Sequence, residues 1–467
     1  MINKIDDLII NKRVYIFFAI LFLGALLRFY HFNFQSLWLD ELYSVVPTDP
    51  KNTLQSIIEY CKGDQPPLFF IYLHYAFKIF GYSEIVGRSA CVLVGVMCIP
   101  AIYLLGKECL TETAGLFAAL LTAINYFHIY YSQEVRFYGM AFLFASLSYL
   151  FFIRAFKRKR TIDFVGYTIC TSCLLYTHYF GLFVFGSQAI TILVLLAYNS
   201  DKKLLWGSVV SGIVVGVSFL PWLPTLFNDL GVDVGWIKSP SPFFVAQYFY
   251  DYTGKDALTT LILVVFIYNF FKYVGQYSEY GKGIKPVLFT ILIWIVLTYL
   301  VPYIRSITIS PMLSNRYTIV TLPAWIILFT IGWDRIDNLK WKYGLSVVLI
   351  FSAIINITLF RHYYTTIRKD QYREVSQLVL TKNEHHYPIY SSLPWHFSFY
   401  FRNSKEQILD ISSAIHSGKD KIWLLQAHFT EEEWEAEVKK LEQSFKVVEK
   451  NTLIGANAIL LEARKNE

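Results

Sequence analysis

Apolar runs recur along this chain from residue 14 to residue 360, and they restrict what it can fold into more than any other feature. A helix that spans a bilayer needs about 20 largely apolar residues. On that criterion eleven spans are expected, at 13–30, 86–105, 114–130, 137–154, 162–177, 180–198, 207–227, 256–272, 286–303, 317–333 and 343–360. The fold class is therefore an α-helical polytopic membrane protein. Composition agrees: the 467 residues are 55% hydrophobic and 18% aromatic, with only 16% charged, where a soluble domain carries roughly 25%. The net charge of +7 does not point to nucleic acid, because no basic stripe with interleaved aromatics occurs in a soluble stretch. In a membrane protein it reports lysines and arginines in cytoplasmic loops.

Those residues orient the chain. Lys4, Lys12 and Arg13 at the N-terminus fall into one set of loops with Lys157-Arg158-Lys159-Arg160, Lys202-Lys203, Lys282, Lys285, Arg335, Lys340 and Lys342. By the positive-inside rule that set is cytoplasmic. The apolar run Val14–Leu27 has no small-x-small cleavage pattern after it, so it reads as an uncleaved first helix. An odd number of spans then places 361–467 outside. The domains expected are a membrane domain at 1–360, whose first outer loop covers 31–85, and an extracytoplasmic α/β domain at 361–467. In the latter, Thr430-Glu431-Glu432-Glu433 reads as a capping box, and Trp434, Val438, Leu441 and Phe445 share one helical face. "KIWLLQAHF", "FKVVEKN" and "ANAILLEAR" read as strands. A packing or docking cap is the expected role of this domain. In the first outer loop, Pro66-Pro67 opens "LFFIYLHYAFKIFG", read as an interfacial helix because His74 and Lys78 interrupt it. The six cysteines lie in or beside apolar runs and read as small buried residues. Cys170 and Cys173 form a C-x2-C without the further ligands a zinc site needs.

Span parity also sorts the polar residues. Asp40-Glu41, Asp64, Glu84 and Arg88 fall in the first outer loop; "YYSQEVRFYGM" brings Glu134, Arg136 and Tyr138; "THYFG" brings His178 and Tyr179; "YIRSITISPMLSNRYTIV" brings Arg305, Arg316 and Tyr317. Each has a structural explanation. Asp40-Glu41 suits a helix N-terminus, Glu134 and Arg136 suit separate ion pairs, His178 suits a satisfied interfacial site, and Arg316-Tyr317 suits a snorkelling anchor. Together they suggest chemistry, since ionisable groups at a bilayer edge are costly and usually functional. A carboxylate there can take the proton of an acceptor hydroxyl, and arginines can bind a phosphate bidentately and neutralise it as it departs. That combination describes a transferase acting on a lipid phosphate carrier.

"LWLDELYS", "DQPPLFFIYLHYAFKIFG" followed by "SEIVGRSACVL", "YYSQEVRFYGM", "THYFG" and "NRYTIVTLPAW" resemble the polytopic glycosyltransferases of superfamily C (GT-C) that use polyprenyl-phosphate sugars. The resemblance is greatest to bacterial members related to protein O-mannosyltransferases and the lipid A aminoarabinose transferase. It covers most of residues 1–330 and implies an inverting transfer with Asp40 as general base. Glu41 would hold Asp40 or contact the acceptor or a metal. Arg136 and Arg316 would contact the donor phosphate, with Arg88 and Arg305 behind them. Glu134, Tyr138, His178, Tyr179 and Tyr317 would complete the substrate site. Gln65 departs from relatives that carry Lys or His before the Pro-Pro pair, and it cannot bring a positive charge to a phosphate. Asp40, Glu41 and Asp64 offer oxygen ligands for a divalent metal, but no spacing demands one. The partners implied are a polyprenyl-phosphate-linked sugar, an acceptor protein, glycolipid or surface glycan, and the lipid bilayer of the cytoplasmic (inner) membrane. The competing reading is a transporter or flippase for a lipid-linked substrate. Transporters carry repeats and mid-membrane polar sites, whereas here the polar residues gather at one face.

Overall fold

The computed structural model describes residues 2–63, 65–198, 201–230, 235–275, 285–414, 419–427 and 431–464. Asp64, Lys282 and the Thr430 of the expected capping box lie outside the described residues. The chain forms two compact units. The first comprises Met1–Tyr30, Thr53–Tyr72 and Ser89–Tyr363; the second comprises His31–Asn52, Leu73–Arg88 and Tyr364–Glu467. Residues 31–85, expected as the first outer loop, thus belong largely with the C-terminal segment rather than with the helices that flank them in sequence.

The first unit is a bundle of apolar helices. By length and composition seven helices among the described residues can cross a membrane: Glu84–Cys109, Tyr138–Arg158, Lys202–Asp229, Ala257–Val274, Pro286–Thr308, Tyr317–Asp334 and Leu339–Phe360. The expected span 114–130 is instead two helices, Glu112–Ile124 and Tyr126–Ser132, bent by 62°. The break falls at Asn125, which leaves the helical region (ψ 115) and accepts the His128 N–H on its side chain, capping the second helix. Counted as one span, this pair makes eight. The other three of the eleven expected spans differ in kind. The first falls in Ile2–Phe29, while Thr161–Leu175 and Gly181–Ala197 are shorter apolar helices. Leu68–Phe80 is likewise short, about 20 Å at 1.5 Å per residue.

Burial grades the bundle from centre to rim. Tyr317–Asp334 is 83% buried and Lys202–Asp229 only 22%; Trp206, Ile213 and Val217 of the latter are exposed, as a lipid-facing helix requires. Inside, Tyr149 stacks on Trp294 at 3.6 Å and Phe117 on Trp333 at 4.1 Å. The bend at Asn125 frees helix-terminal carbonyls, and these need donors. Arg28, fully buried, supplies them: its guanidinium donates to Thr122 O (2.8 Å) and Ala123 O (3.0 Å), and approaches His128 Nδ1 at 2.8 Å. Ion pairs tie helix ends together: Arg13 with Glu112, Arg154 and Arg158 with Glu108, Lys159 with Asp201. Five cysteines are buried, and none forms a disulfide.

The second unit is built on a five-stranded sheet of β1 (Ile389–Ser391), β2 (Ile408–Asp410), β3 (Lys421–Ala427), β4 (Phe445–Leu453) and β5 (Ala456–Ala463), in the order β2-β1-β3-β5-β4. β1 runs parallel to both neighbours, whereas β5 is antiparallel to β3 and β4. Helices Tyr372–Lys382 and Glu431–Leu441 accompany the sheet, and Trp434, Leu441, Ile422, Leu424, Ile459 and Leu461 share one core. Phe445 does not close the helical face, as its spacing had suggested. The helix stops at Leu441, and Phe445 opens β4 while still entering the same core. The short strands β1 and β2, three residues each, carry too little pattern to be read from sequence.

Candidate active site

The acidic pair lies in the second unit, on the first turn of helix Leu39–Val45. Acids there favour the helix N-terminus, but the two are treated differently. Glu41 is fully buried. Its Oε2 accepts from the Trp38 N–H (3.3 Å), from Arg88 Nη2 (3.0 Å) and from Lys369 Nζ (3.1 Å). Asp40 stays half-buried. Glu41 is therefore a buried, capping and doubly ion-paired carboxylate. A buried carboxylate requires such partners, since an uncompensated charge away from water costs several kcal/mol.

The stretch before the pair is fastened just as firmly. Arg88, expected among the phosphate contacts, is buried and turned inward, donating to Phe32 O (2.7 Å) and Ser36 O (3.0 Å) as well as to Glu41. The Leu37 N–H reaches Glu84 Oε1 (3.1 Å) and Tyr400 Oη (2.8 Å), and Tyr400 donates to the same Glu84 oxygen. Arg373 bridges Glu84 Oε2 (3.0 Å) and Phe34 O (2.8 Å). Gln35 Oε1 accepts the Arg368 and Lys369 amides at 2.7 and 3.0 Å.

In the first unit, four of the expected residues form one cluster. Arg136 follows Glu134 in a tight turn (Arg136 N–H to Glu134 O, 2.8 Å), and both are buried. The Arg136 guanidinium lies 4.8 Å from the centre of the Phe137 ring, and that ring packs 4.8 Å from His178. His178 packs 4.9 Å from Tyr317, and Arg316 stacks 4.3 Å over Trp236. The Phe180 N–H donates to His178 Nδ1 (3.1 Å), which places the ring proton on Nε2. Burial drives the His178 pKa down to about 3, and Arg136 and Arg316 push the same way. His178 is thus a neutral donor at physiological pH. Tyr138 is buried beside Tyr131, and its hydroxyl has no hydrogen-bond partner among the described residues. Tyr179 turns away, donating to Asp229 Oδ2 (2.5 Å) and accepting from Trp222 Nε1 (3.1 Å). Arg305 caps its own loop through Ser310 O (3.0 Å). Two stacked guanidiniums and a neutral imidazole donor suit a phosphate, which rewards planar bidentate donors held without rotamer freedom.

Among the described residues, no three His, Cys, Asp or Glu converge as a metal site. Sequence reasoning missed Lys369, Arg373, Tyr400 and Trp236. A signal existed for the first two. Arg368, Lys369 and Arg373 form a basic run in a segment that the span count expects outside, where the positive-inside rule expects few cations, and such cations need acids.

Comparison with known proteins bears on this arrangement. Residues 64–224 match the family of dolichyl-phosphate-mannose-protein mannosyltransferases. No curated protein matches the sequence. The fold is similar to ArnT from Cupriavidus metallidurans in the apo state, with TM-score 0.67 and 13% identity over 96% of this chain and 98% of that one. ArnT bound to undecaprenyl phosphate gives 0.65 and 14% over 96% and 97%. The archaeal oligosaccharyltransferase AglB from Archaeoglobus fulgidus, in complex with an inhibitory peptide and a dolichol-phosphate, gives 0.59 and 11% over 96% and 74%. In fold the chain is similar to ArnT and AglB, and over residues 64–224 its sequence matches the mannosyltransferase family.

Proposed function

We propose that the chain is an integral membrane glycosyltransferase that moves a sugar from a polyprenyl-phosphate donor to an acceptor on the extracytoplasmic face of the cytoplasmic membrane. The observation that carries the reading is the division of the acidic pair. Glu41 is committed to Arg88 and Lys369, while Asp40 on the same helical turn stays half-buried. In this reading Asp40 takes the proton of the acceptor's nucleophilic group. The nucleophile attacks the anomeric carbon, the bond from that carbon to the phosphate oxygen breaks, and the configuration inverts in the single displacement. Arg136 and Arg316 hold the phosphate as it gains charge, and His178 donates through Nε2. Such donors stabilise charge where it develops, and they need no rearrangement when fixed by stacking. The carriers bound in the ArnT and AglB structures, undecaprenyl phosphate and dolichol-phosphate, support a polyprenyl phosphate as the donor carrier.

The test is transfer by purified protein from a polyprenyl-phosphate sugar. Asp40→Asn should lower turnover about 10²- to 10⁴-fold, the range for a positioned general base, while donor binding persists. Turnover near the parent value in that variant would remove Asp40 from the mechanism.

A further inference from the structure

We infer that Lys369, in the segment that follows the last membrane helix, is a positioning residue for this transfer, fixing the helical turn that carries Asp40. The inference rests on Asp40 acting as the base.

Lys369 touches the residues on both sides of Asp40. Its Nζ donates to Glu41 Oε2 at 3.1 Å, one residue after, and lies 6.0 Å from the centre of the Trp38 ring, two residues before. Its own amide donates to Gln35 Oε1 at 3.0 Å. The Lys369 side chain is 8% exposed and the Glu41 side chain 0%, so the pair is shielded from the screening that makes surface ion pairs weak. Arg88 alone already gives Glu41 one counter-charge; Lys369 adds a second from a different part of the chain. Glu41 thereby ties three segments together: the acidic loop, the start of helix Glu84–Cys109, and residues 368–370. The neighbours of Lys369 pull the same way. Ser36 donates to Asp370 O at 2.5 Å, and Arg373 donates to Asn33 O at 3.3 Å and Phe34 O at 2.8 Å. The contacts from residues 368–373 converge on the loop that ends in the acidic pair. The C-terminal domain therefore does more than cap the protein. It holds a carboxylate in place for a reaction in which a displacement of about 1 Å can cost about 10²-fold in rate.

The test compares Lys369→Met, which keeps the apolar stem, with Lys369→Arg, which keeps the charge, in the full-length protein. Lys369→Met should lower kcat about ten- to a hundred-fold, leave KM for the polyprenyl-phosphate sugar within about two-fold, and raise amide hydrogen exchange across residues 37–45. Lys369→Arg should return kcat to within about three-fold of the parent. The double variant Lys369→Met/Glu41→Gln should fall no further than the worse single variant, because the two act through one pair. If Lys369→Met does not fold, Lys369→Gln takes its place with the same expected split. Unchanged kcat and exchange, or a raised donor KM with kcat intact, would overturn the inference. The exchange readout does not depend on turnover. Transfer by Asp40→Asn would therefore sink the functional reading, and the catalytic part of this inference with it, while leaving the exchange result standing; an inactive Asp40→Asn beside a fully active Lys369→Met would sink this inference alone.

Discussion

At the scale of single residues, environment separates groups that look equivalent in sequence. Asp40 and Glu41 are adjacent carboxylates, yet one is half-buried and the other is fully enclosed against two cations. Sequence could place the pair at a helix N-terminus, but which member would be enclosed depended on partners 47 and 328 residues away. His178 makes the same point through its charge. Burial and two arginines bring its pKa to about 3 in the folded chain, against an unperturbed value near 6.5. The unfolded chain therefore binds more protons between those values. The stability this group contributes is complete above pH 6.5 and is lost as pH falls towards 3, by at most about 1.4 kcal/mol per pH unit. His178→Gln, which carries no titrating group, should give a flatter acid limb when unfolding temperature is followed from pH 7 to pH 4. Parallel limbs for parent and variant would mean that His178 is protonated in the folded protein.

At the scale of elements, periodicity located helices and strands well and their ends poorly. The apolar runs became helices in nearly every case, because lipid leaves a spanning backbone few alternatives. The ends were set by single residues. Asn125 broke a run that hydropathy read as continuous, and the buried Arg28 made the break tolerable by supplying donors to the carbonyls it freed. In the C-terminal domain, Phe445 kept helical spacing with Leu441 but entered the core from β4, since a strand residue can fill the same space as the next helical turn. The β4–β5 hairpin shows what fixes such an element. Gly455 sits at φ +64, and a Cβ there would run into the Asp370 carboxyl group. The turn is also held to Gln371, whose N–H donates to Ile454 O at 2.8 Å. Gly455→Ala meets both the left-handed backbone and the close approach, so it should cost about 1–3 kcal/mol. Denaturant unfolding followed by Trp fluorescence would register the loss, and an unchanged midpoint would show that the hairpin can move off Asp370 freely.

At the scale of the whole molecule, the fold class was legible because composition and recurrent apolar runs leave little choice, and charge asymmetry sorted the loops. The ion pair Lys159–Asp201 joins two of the loops grouped by their lysines and arginines, while Arg13 and Arg158 of that group pair with Glu112 and Glu108 outside it. The grouping of Arg136, His178, Arg316 and Tyr317 was legible from the loops they fall in, and these four do form one cluster. The surroundings of the acidic pair were not legible. The grip of residues 368–373 on the acidic loop joins positions more than 300 apart, and no local pattern encodes such pairings. Orientation is the property on which the functional reading leans most heavily, because a lipid-phosphate donor and its acceptor must meet on one side of the membrane. Lys51, exposed in the first outer loop, and Arg160, exposed between Tyr138–Arg158 and Thr161–Leu175, probe it directly. A membrane-impermeant maleimide should label Lys51→Cys in intact cells and Arg160→Cys only after permeabilisation, measured against the parent as a background for the native cysteines. Labelling of both from the same side would reverse the placement of the acidic loop, and a base facing the cytoplasm could not serve an extracytoplasmic acceptor.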